Sequence, residues 1–250
     1  MKELVKDLLT IRQYENRAAM DTAAAQAVAE CIREKLKSRD TINMIFAAAP
    51  SQNEMLAALV TYDVTWNKIN AFHMDEYIGL PVGATQSFRH YLDEHLFSLV
   101  NFRTVNYING NAADLKEECH RYSGLLSKFP PDIVCMGIGE NGHLAFNDPH
   151  VADFKDTALV KVVDLDEVCR QQQVNDGCFE KISFVPTQAL TLTIPSLMKG
   201  QNIFCVVPGN KKATAVRNTI NQPVDEKFPS TILRTHRNAT LFVDEDSYKP

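Results

Sequence analysis

The sequence carries no excess of positive charge: 26 Lys and Arg stand against 31 Asp and Glu, a net charge of −5 with His neutral. That balance excludes a basic polyanion binder, and with it a nucleic-acid partner. Long apolar runs are also missing, since stretches such as Met44 to Pro50 fall far short of the roughly 18 residues of a membrane-crossing helix. The N-terminal Met1-Lys2-Glu3-Leu4-Val5-Lys6 lacks the apolar core of a secretory signal, so a cytoplasmic protein without a membrane partner is expected. The cysteines (Cys31, Cys119, Cys135, Cys169, Cys178, Cys205) form no C-x-x-C pair, and Cys135 and Cys205 sit inside apolar strand-like runs, which predicts reduced, structural thiols. Neither H-E-x-x-H, a Walker loop nor G-x-S-x-G occurs, and His90 and His95 fall on different faces of a helix. No metal site and no serine nucleophile are indicated.

What is present is an ordinary globular composition, 45% hydrophobic and 23% charged, on a chain long enough to bury a large core. From Asn16 to Lys37, Ala24, Val28, Ile32 and Leu36 recur four apart and basic residues gather at the end, which predicts a long helix. Strands are predicted over 41–49, 69–74, 132–136, 158–163, 189–193, 202–207 and 239–244, with helices over 54–60, 86–99, 113–128 and 211–219. Short apolar strands alternating with amphipathic helices, without a Pro/Gly/Ser linker, imply a single α/β Rossmann-like domain over residues 1–250. Its mostly parallel β-sheet is flanked by helices. Ligands of such sheets bind beyond the carboxyl ends of the strands.

Four segments at those ends are unusual. Gly137-Ile138-Gly139-Glu140-Asn141-Gly142 satisfies G-x-G-x-x-G after a strand, but Pro149 would stop the helix that a dinucleotide site needs. Read as a loop, its glycines expose backbone N–H groups to a small ligand at Gly139, while Asn141, His143 and Asp148 crowd one turn. Histidine titrates near neutrality, and Asp148 is placed to fix its tautomer and stabilise its charged form. The second segment, Asp75-Glu76-Tyr77, ends a strand in two acids, of which alternation sends one into the crevice and the other away. A partly desolvated carboxylate there has the raised pKa of a proton-transfer base. The third, Ala47 to Asn53, turns into a helix near Ser51 and Gln52, whose free N–H groups suit a phosphate or serve as an ordinary cap. The fourth puts Lys211 and Lys212 at a helix start, where a cation is unfavourable unless an anion lies nearby.

The runs Met74-Asp75-Glu76-Tyr77-Ile78-Gly79-Leu80 and Gly137 to Pro149, with weaker matches at 87–89, 109–112, 189–191 and 209–213, carry a resemblance. The chain resembles the glucosamine-6-phosphate deaminase (isomerase) family, whose wider relatives include the 6-phosphogluconolactonases. It is nearer the deaminases, because lactonases usually have Asp-Glu-Arg at the first run and Ser-Leu-Phe-Pro in place of Phe146-Asn147-Asp148-Pro149. The resemblance implies conversion of an amino-sugar phosphate, glucosamine 6-phosphate or a related hexosamine 6-phosphate such as galactosamine 6-phosphate, to a ketose phosphate and ammonia, without metal or cofactor. By position Asp75 matches the base that carries the C2 proton, His143 the ring-opening residue, and Asn141 and Asp148 the partners of that histidine. Lys212 matches a phosphate-binding lysine.

Departures bear on the substrate. Where the family often has Thr-Gly-Gly-Thr-Pro, this chain has Ala47-Ala48-Ala49-Pro50-Ser51-Gln52, and alanine methyls limit how closely a phosphate approaches the backbone. The phosphate arginine of the family has no clear counterpart, and Arg170 is the candidate by proximity in sequence. The alternatives are a lactonase in which His143 activates water, and a non-catalytic sugar-phosphate sensor, against which stand the retained acid/base residues and the lack of a DNA-binding module. Helical surfaces are compatible with a homo-oligomer as well as with a monomer.

Overall fold

The computed structural model describes residues 1–249. Its strands are β1 (Lys2–Lys6), β2 (Leu9–Tyr14), β3 (Ile42–Phe46), β4 (Ile69–His73), β5 (Asp75–Tyr77), β6 (Thr104–Asn106), β7 (Ile133–Met136), β8 (Val160–Asp164), β9 (Gln188–Leu192), β10 (Asn202–Val207) and β11 (Ala239–Asp244). Its helices are α1 (Arg17–Leu36), α2 (Asn53–Leu59), α3 (Phe88–Leu92), α4 (Leu115–Lys128), α5 (Glu167–Asn175), α6 (Ile194–Leu197) and α7 (Ala213–Asn221). The main sheet runs β1-β2-β11-β10-β7-β3-β4-β6, and every neighbouring pair except β1–β2 is parallel.

Parallel strands buried on both faces need apolar side chains in both directions, and β3 shows how that is met. Met44 and Phe46 pack with Met20, Val28 and Ile32 of α1 and Met55 and Leu59 of α2. Between them Ile45 points to the other face, with Tyr122 and Leu126 of α4, Val134, Cys205 and Val216 of α7. Helix α1 starts where the Asn16 side chain accepts a hydrogen bond from the Ala19 N–H, and carries Arg33 and Lys35 in its last turn. Strands β3, β4 and β6 extend the sheet one way and β7, β10, β11 the other, so its order reverses between β3 and β7. That reversal opens a crevice between the loops after Phe46 and Met136.

Several features go beyond the sequence reading. An exposed antiparallel hairpin, β1–β2, adds an edge to the sheet. The segments near 158–163 and 189–193 are strands but leave the main sheet, pairing antiparallel as β8 and β9 with β5. The chain breaks after His73, which frees Asp75–Tyr77 to pair with β9 (Asp75 opposite Thr191) and fixes the three residues over the crevice. Helix α5 was not anticipated either. The six cysteines are unpaired, as expected, and no helix among the described residues is long and apolar enough to cross a membrane.

Candidate active site

A narrow cavity sits at the reversal point, walled by Ala47–Ala49, Ser51 and Gln52 after β3, by Gly137–Gly139 and His143 after β7, by Asp75 of β5, and by Lys212 after β10. The loops among these walls follow the carboxyl ends of β3, β7 and β10, so sheet order places the site.

The two acids after β4 separate as alternation requires. Asp75 lines the cavity, 6% exposed, with Phe88 and Phe146 beside it. Those rings belong to a cluster with Tyr77 and Phe179, Phe88 stacking on Phe146 at 5.4 Å. Burial pushes the Asp75 carboxyl well above the usual aspartate range, and the neighbouring Glu76 charge adds to it. Glu76 points away, where it accepts the backbone N–H groups of Tyr77 (2.9 Å), Phe88 (3.1 Å) and Arg89 (2.9 Å) and so holds the start of α3. Burial raises Glu76 too, and these N–H groups oppose the rise.

The glycine loop builds the opposite wall. Gly142 turns it at φ 91°, and Ala145 at φ 51°, a strained value for a residue with a side chain, brings Phe146 back over the cavity. The His143 ring lies against Gly139, where an added Cβ would meet ring atoms at 2.2 Å, so only glycine leaves the imidazole its place. Behind the ring, Nδ1 lies 2.9 Å from Asp148 Oδ1, close but off the line of an ideal hydrogen bond. Asn141 ties the two together: its Oδ1 accepts the His143 N–H (3.0 Å) and its Nδ2 donates to Asp148 Oδ1 (2.9 Å). Burial alone would raise Asp148, but the contacts from His143 and Asn141 and the Asp166 N–H more than offset it and hold the carboxyl below its ordinary range. With Nδ1 turned to Asp148, Nε2 is the ring nitrogen left for a ligand.

Of the residues singled out by sequence, Asp75, His143, Ser51, Gln52, Gly139 and Lys212 meet in the cavity, while Asn141 and Asp148 stand behind His143. The lysine pair divides. Lys211 faces the Asn175 carbonyl and Asp176, whereas Lys212 is buried, 7% exposed, with its pKa lowered by burial against the pull of Asp176 and Glu140. Arg170 is a correction: its guanidinium donates to the carbonyls of Ile182 (2.8 Å) and Val185 (2.9 Å), tying down the segment before β9, and does not line the cavity. It lies on α5 where those carbonyls need a donor, and nearness in sequence to the site did not reveal that. Gln172, Gln173 and Asp176, which do line the cavity, were missed. Gln172 docks α5 on the glycine loop by accepting the Glu140 N–H at 2.8 Å. A run of three glutamines reads as solvated helix, and only their burial distinguishes them.

One group of potential metal-ligating atoms lies at the site, His143, Asp148 and Cys169, within 4.8 Å of one another. Burial and the neighbouring carboxylates push the Cys169 thiol well up, so the sulfur keeps its proton beside Asp148.

Residues 15–242 match the profile of the family described as glucosamine-6-phosphate isomerases/6-phosphogluconolactonase. The chain belongs to this family. Glucosamine-6-phosphate deaminases of Bacillus thuringiensis (strain Al Hakam) and Bacillus cereus (strain AH820) are each 34% identical to it over 223 residues, 89% of this chain and 83% of theirs. Among solved structures, a monomeric glucosamine-6-phosphate deaminase described as a missing link of the NagB superfamily superimposes with a TM-score of 0.87 at 28% identity, covering 95% of this chain and 98% of that one. The 6-phosphogluconolactonase of Thermotoga maritima shares the fold, with a TM-score of 0.77 at 19% identity over 95% of this chain and all of its own. Membership of the glucosamine-6-phosphate isomerase/6-phosphogluconolactonase family accounts for the mostly parallel sheet and for the site at its reversal point.

Proposed function

We propose that this protein is an amino-sugar-phosphate deaminase/isomerase that converts a hexosamine 6-phosphate, glucosamine 6-phosphate or galactosamine 6-phosphate, and water to a ketose 6-phosphate and ammonia. The observation that carries this reading is Asp75, a buried carboxylate without a charge partner in the cavity, facing a histidine whose far nitrogen is held by Asp148. His143 Nε2 relays the proton between the ring hydroxyl and O5, which opens the ring. C2 is then α to the C1 carbonyl and its proton is acidic. Asp75 takes that proton and returns it to C1 through an enol, leaving a ketimine at C2. Water adds to C2 and ammonia departs. Lys212 supplies the cation for the phosphate, and Asn141 and Asp148 keep His143 in the working tautomer.

The same reading takes residues 1–250 as one unit, acting in the cytoplasm on a small sugar phosphate without a nucleic-acid or membrane partner. The test is release of ammonia together with ketose phosphate from each hexosamine phosphate, wild type against Asp75→Asn, with a sizing column to decide between monomer and homo-oligomer. Coupled appearance of both products, lost in the variant, supports the proposal and selects the epimer. Turnover of 6-phosphogluconolactone that is indifferent to Asp75→Asn would replace it with lactone hydrolysis, and silence of a folded protein on every sugar would leave a sensor.

A further inference from the structure

The wall after β3 differs in kind from the rest of the cavity. Residues 47–49 are alanines, without a side-chain donor, and the turn that follows places Gln52 between β3 and α2. Gln52 is 1% exposed and lines the cavity with Asp75 and His143. Its orientation is not a matter of choice: Nε2 lies 3.1 Å from the Val206 carbonyl, which only accepts, and donates as well to Ser51 Oγ at 3.1 Å. Gly137 leaves the amide its room, since a Cβ there would come within 3.1 Å of Nε2. Oε1 therefore points the other way, buried and without a donor among the described residues. A buried acceptor left unpaired is unfavourable, and native structures account for nearly all of them.

We propose that Gln52 is a specificity-determining residue whose Oε1 accepts a hydrogen bond from a donor on the substrate, a sugar hydroxyl or the amino group. The wall 47–52 then receives the donor-bearing edge of the sugar. Phosphate oxygens, acceptors themselves, gain nothing from Oε1, and the cation of the cavity is Lys212. The inference rests on the deaminase reading for its choice of substrate, and it gives this loop a contact to the sugar where its sequence left a phosphate site and an ordinary cap both open.

The test compares wild type with Gln52→Met, which keeps the length and removes the acceptor. KM for the turned-over hexosamine 6-phosphate is expected to rise about tenfold, with kcat less affected and the inhibition constant of inorganic phosphate unchanged within about twofold. Competition by 2-deoxyglucose 6-phosphate, which lacks a donor at C2, separates the two sources. If the variant leaves its inhibition constant unchanged, the partner is the amino group; if the constant weakens in step with KM, the partner is a hydroxyl. Should Gln52→Met fail to fold, Gln52→Leu, which also lacks the acceptor, takes its place with the same expectation. An unchanged KM in the folded variant, or a phosphate inhibition constant that weakens alongside KM, overturns the proposal. If wild type turns over neither sugar, calorimetric binding of glucosamine 6-phosphate to both proteins decides it alone. Binding weakened by the variant would then keep this inference while the deaminase reading fails, and binding that is equal or absent in both would end it.

Discussion

Asp75 and Asp148 are buried aspartates of one site, the first lining the cavity with His143 and the second behind that ring, and their proton affinities move in opposite directions. Asp75 meets an aromatic cluster and a like charge at Glu76, and its neutral form is favoured. Asp148 meets His143, the Asn141 amide and the Asp166 N–H, and its charged form is favoured. Desolvation is common to both, so the donors decide. Two carboxylates whose environments pull their proton affinities apart divide the labour of a proton-transfer site: the first is a group that takes and gives protons, the second a fixed anion that orients a base.

The largest expected effect comes from removing the first. Asp75→Asn should lower kcat by about 10²- to 10⁴-fold in the coupled ammonia assay. Stability should move the other way. A carboxyl raised in the folded state contributes stability that is present below its unfolded pKa and lost as pH rises toward the folded value. Wild type should therefore lose ground to Asp75→Asn in melting experiments as pH rises above about 4. A variant that is both inactive and less stable at pH 8 would show that Asp75 is paired after all.

Asp148→Asn keeps the shape and removes the anion behind His143. A loss in kcat on the order of 10²-fold is expected, with a displaced pH profile, because an amide offers a donor where Asn141 also donates. Here the sign for stability is reversed. A carboxyl lowered in the folded state contributes stability that is present above its unfolded pKa and lost as pH falls through the folded value. At pH 7 the variant should melt below wild type and approach it only below about pH 4.

Glu76→Gln tests whether sequence neighbours share a role. Its carboxylate takes three backbone N–H groups at the start of α3, so the substitution should cost about 1–2 kcal/mol of stability, and catalysis should change by less than about tenfold. Loss of activity comparable to Asp75→Asn would mean that the two acids act as a coupled pair.

Much of this division was legible before any coordinates. Strand-end acids must alternate, and a histidine, an asparagine and an aspartate within eight residues of a glycine loop have little choice but to meet. The parallel sheet was legible because β3, β7 and β10 are continuous apolar runs between amphipathic helices. The rest was hidden for physical reasons. Strand β5 is three residues long and owes its existence to β9, more than a hundred positions away, so no local pattern announces it. Helix α5 is polar along its length, and the burial of Gln172 and Gln173 arises from docking on the glycine loop. Arg170 looked like an anion ligand because charge is visible in a sequence, while the carbonyls of Ile182 and Val185 that occupy it are not.

Asp21 extends the contrast to a place where no chemistry occurs, and supplies the smallest effect. It lies in α1, 1% exposed, and both of its oxygens lack hydrogen-bond partners; Arg17 Nε approaches only to 3.5 Å while the rest of that guanidinium serves Glu54 and the Pro50 carbonyl. Burial raises its pKa to about 7, against the pull of Arg17. It therefore resembles Asp75 in electrostatics and differs in position. Between about pH 4, where the unfolded chain ionises, and pH 7 the folded protein still holds it protonated, so stability is lost progressively over that window and the loss is complete above pH 7. Asp21→Asn should leave Tm unchanged at about pH 4 and raise it progressively up to about pH 7 and above, by about 2–4 °C for each kcal/mol recovered in a chain of this size, with kcat unaltered throughout. A lower Tm at pH 8 would show that Arg17 compensates the charge fully, and that a single guanidinium at 3.5 Å does for Asp21 what the donors around Asp148 do together.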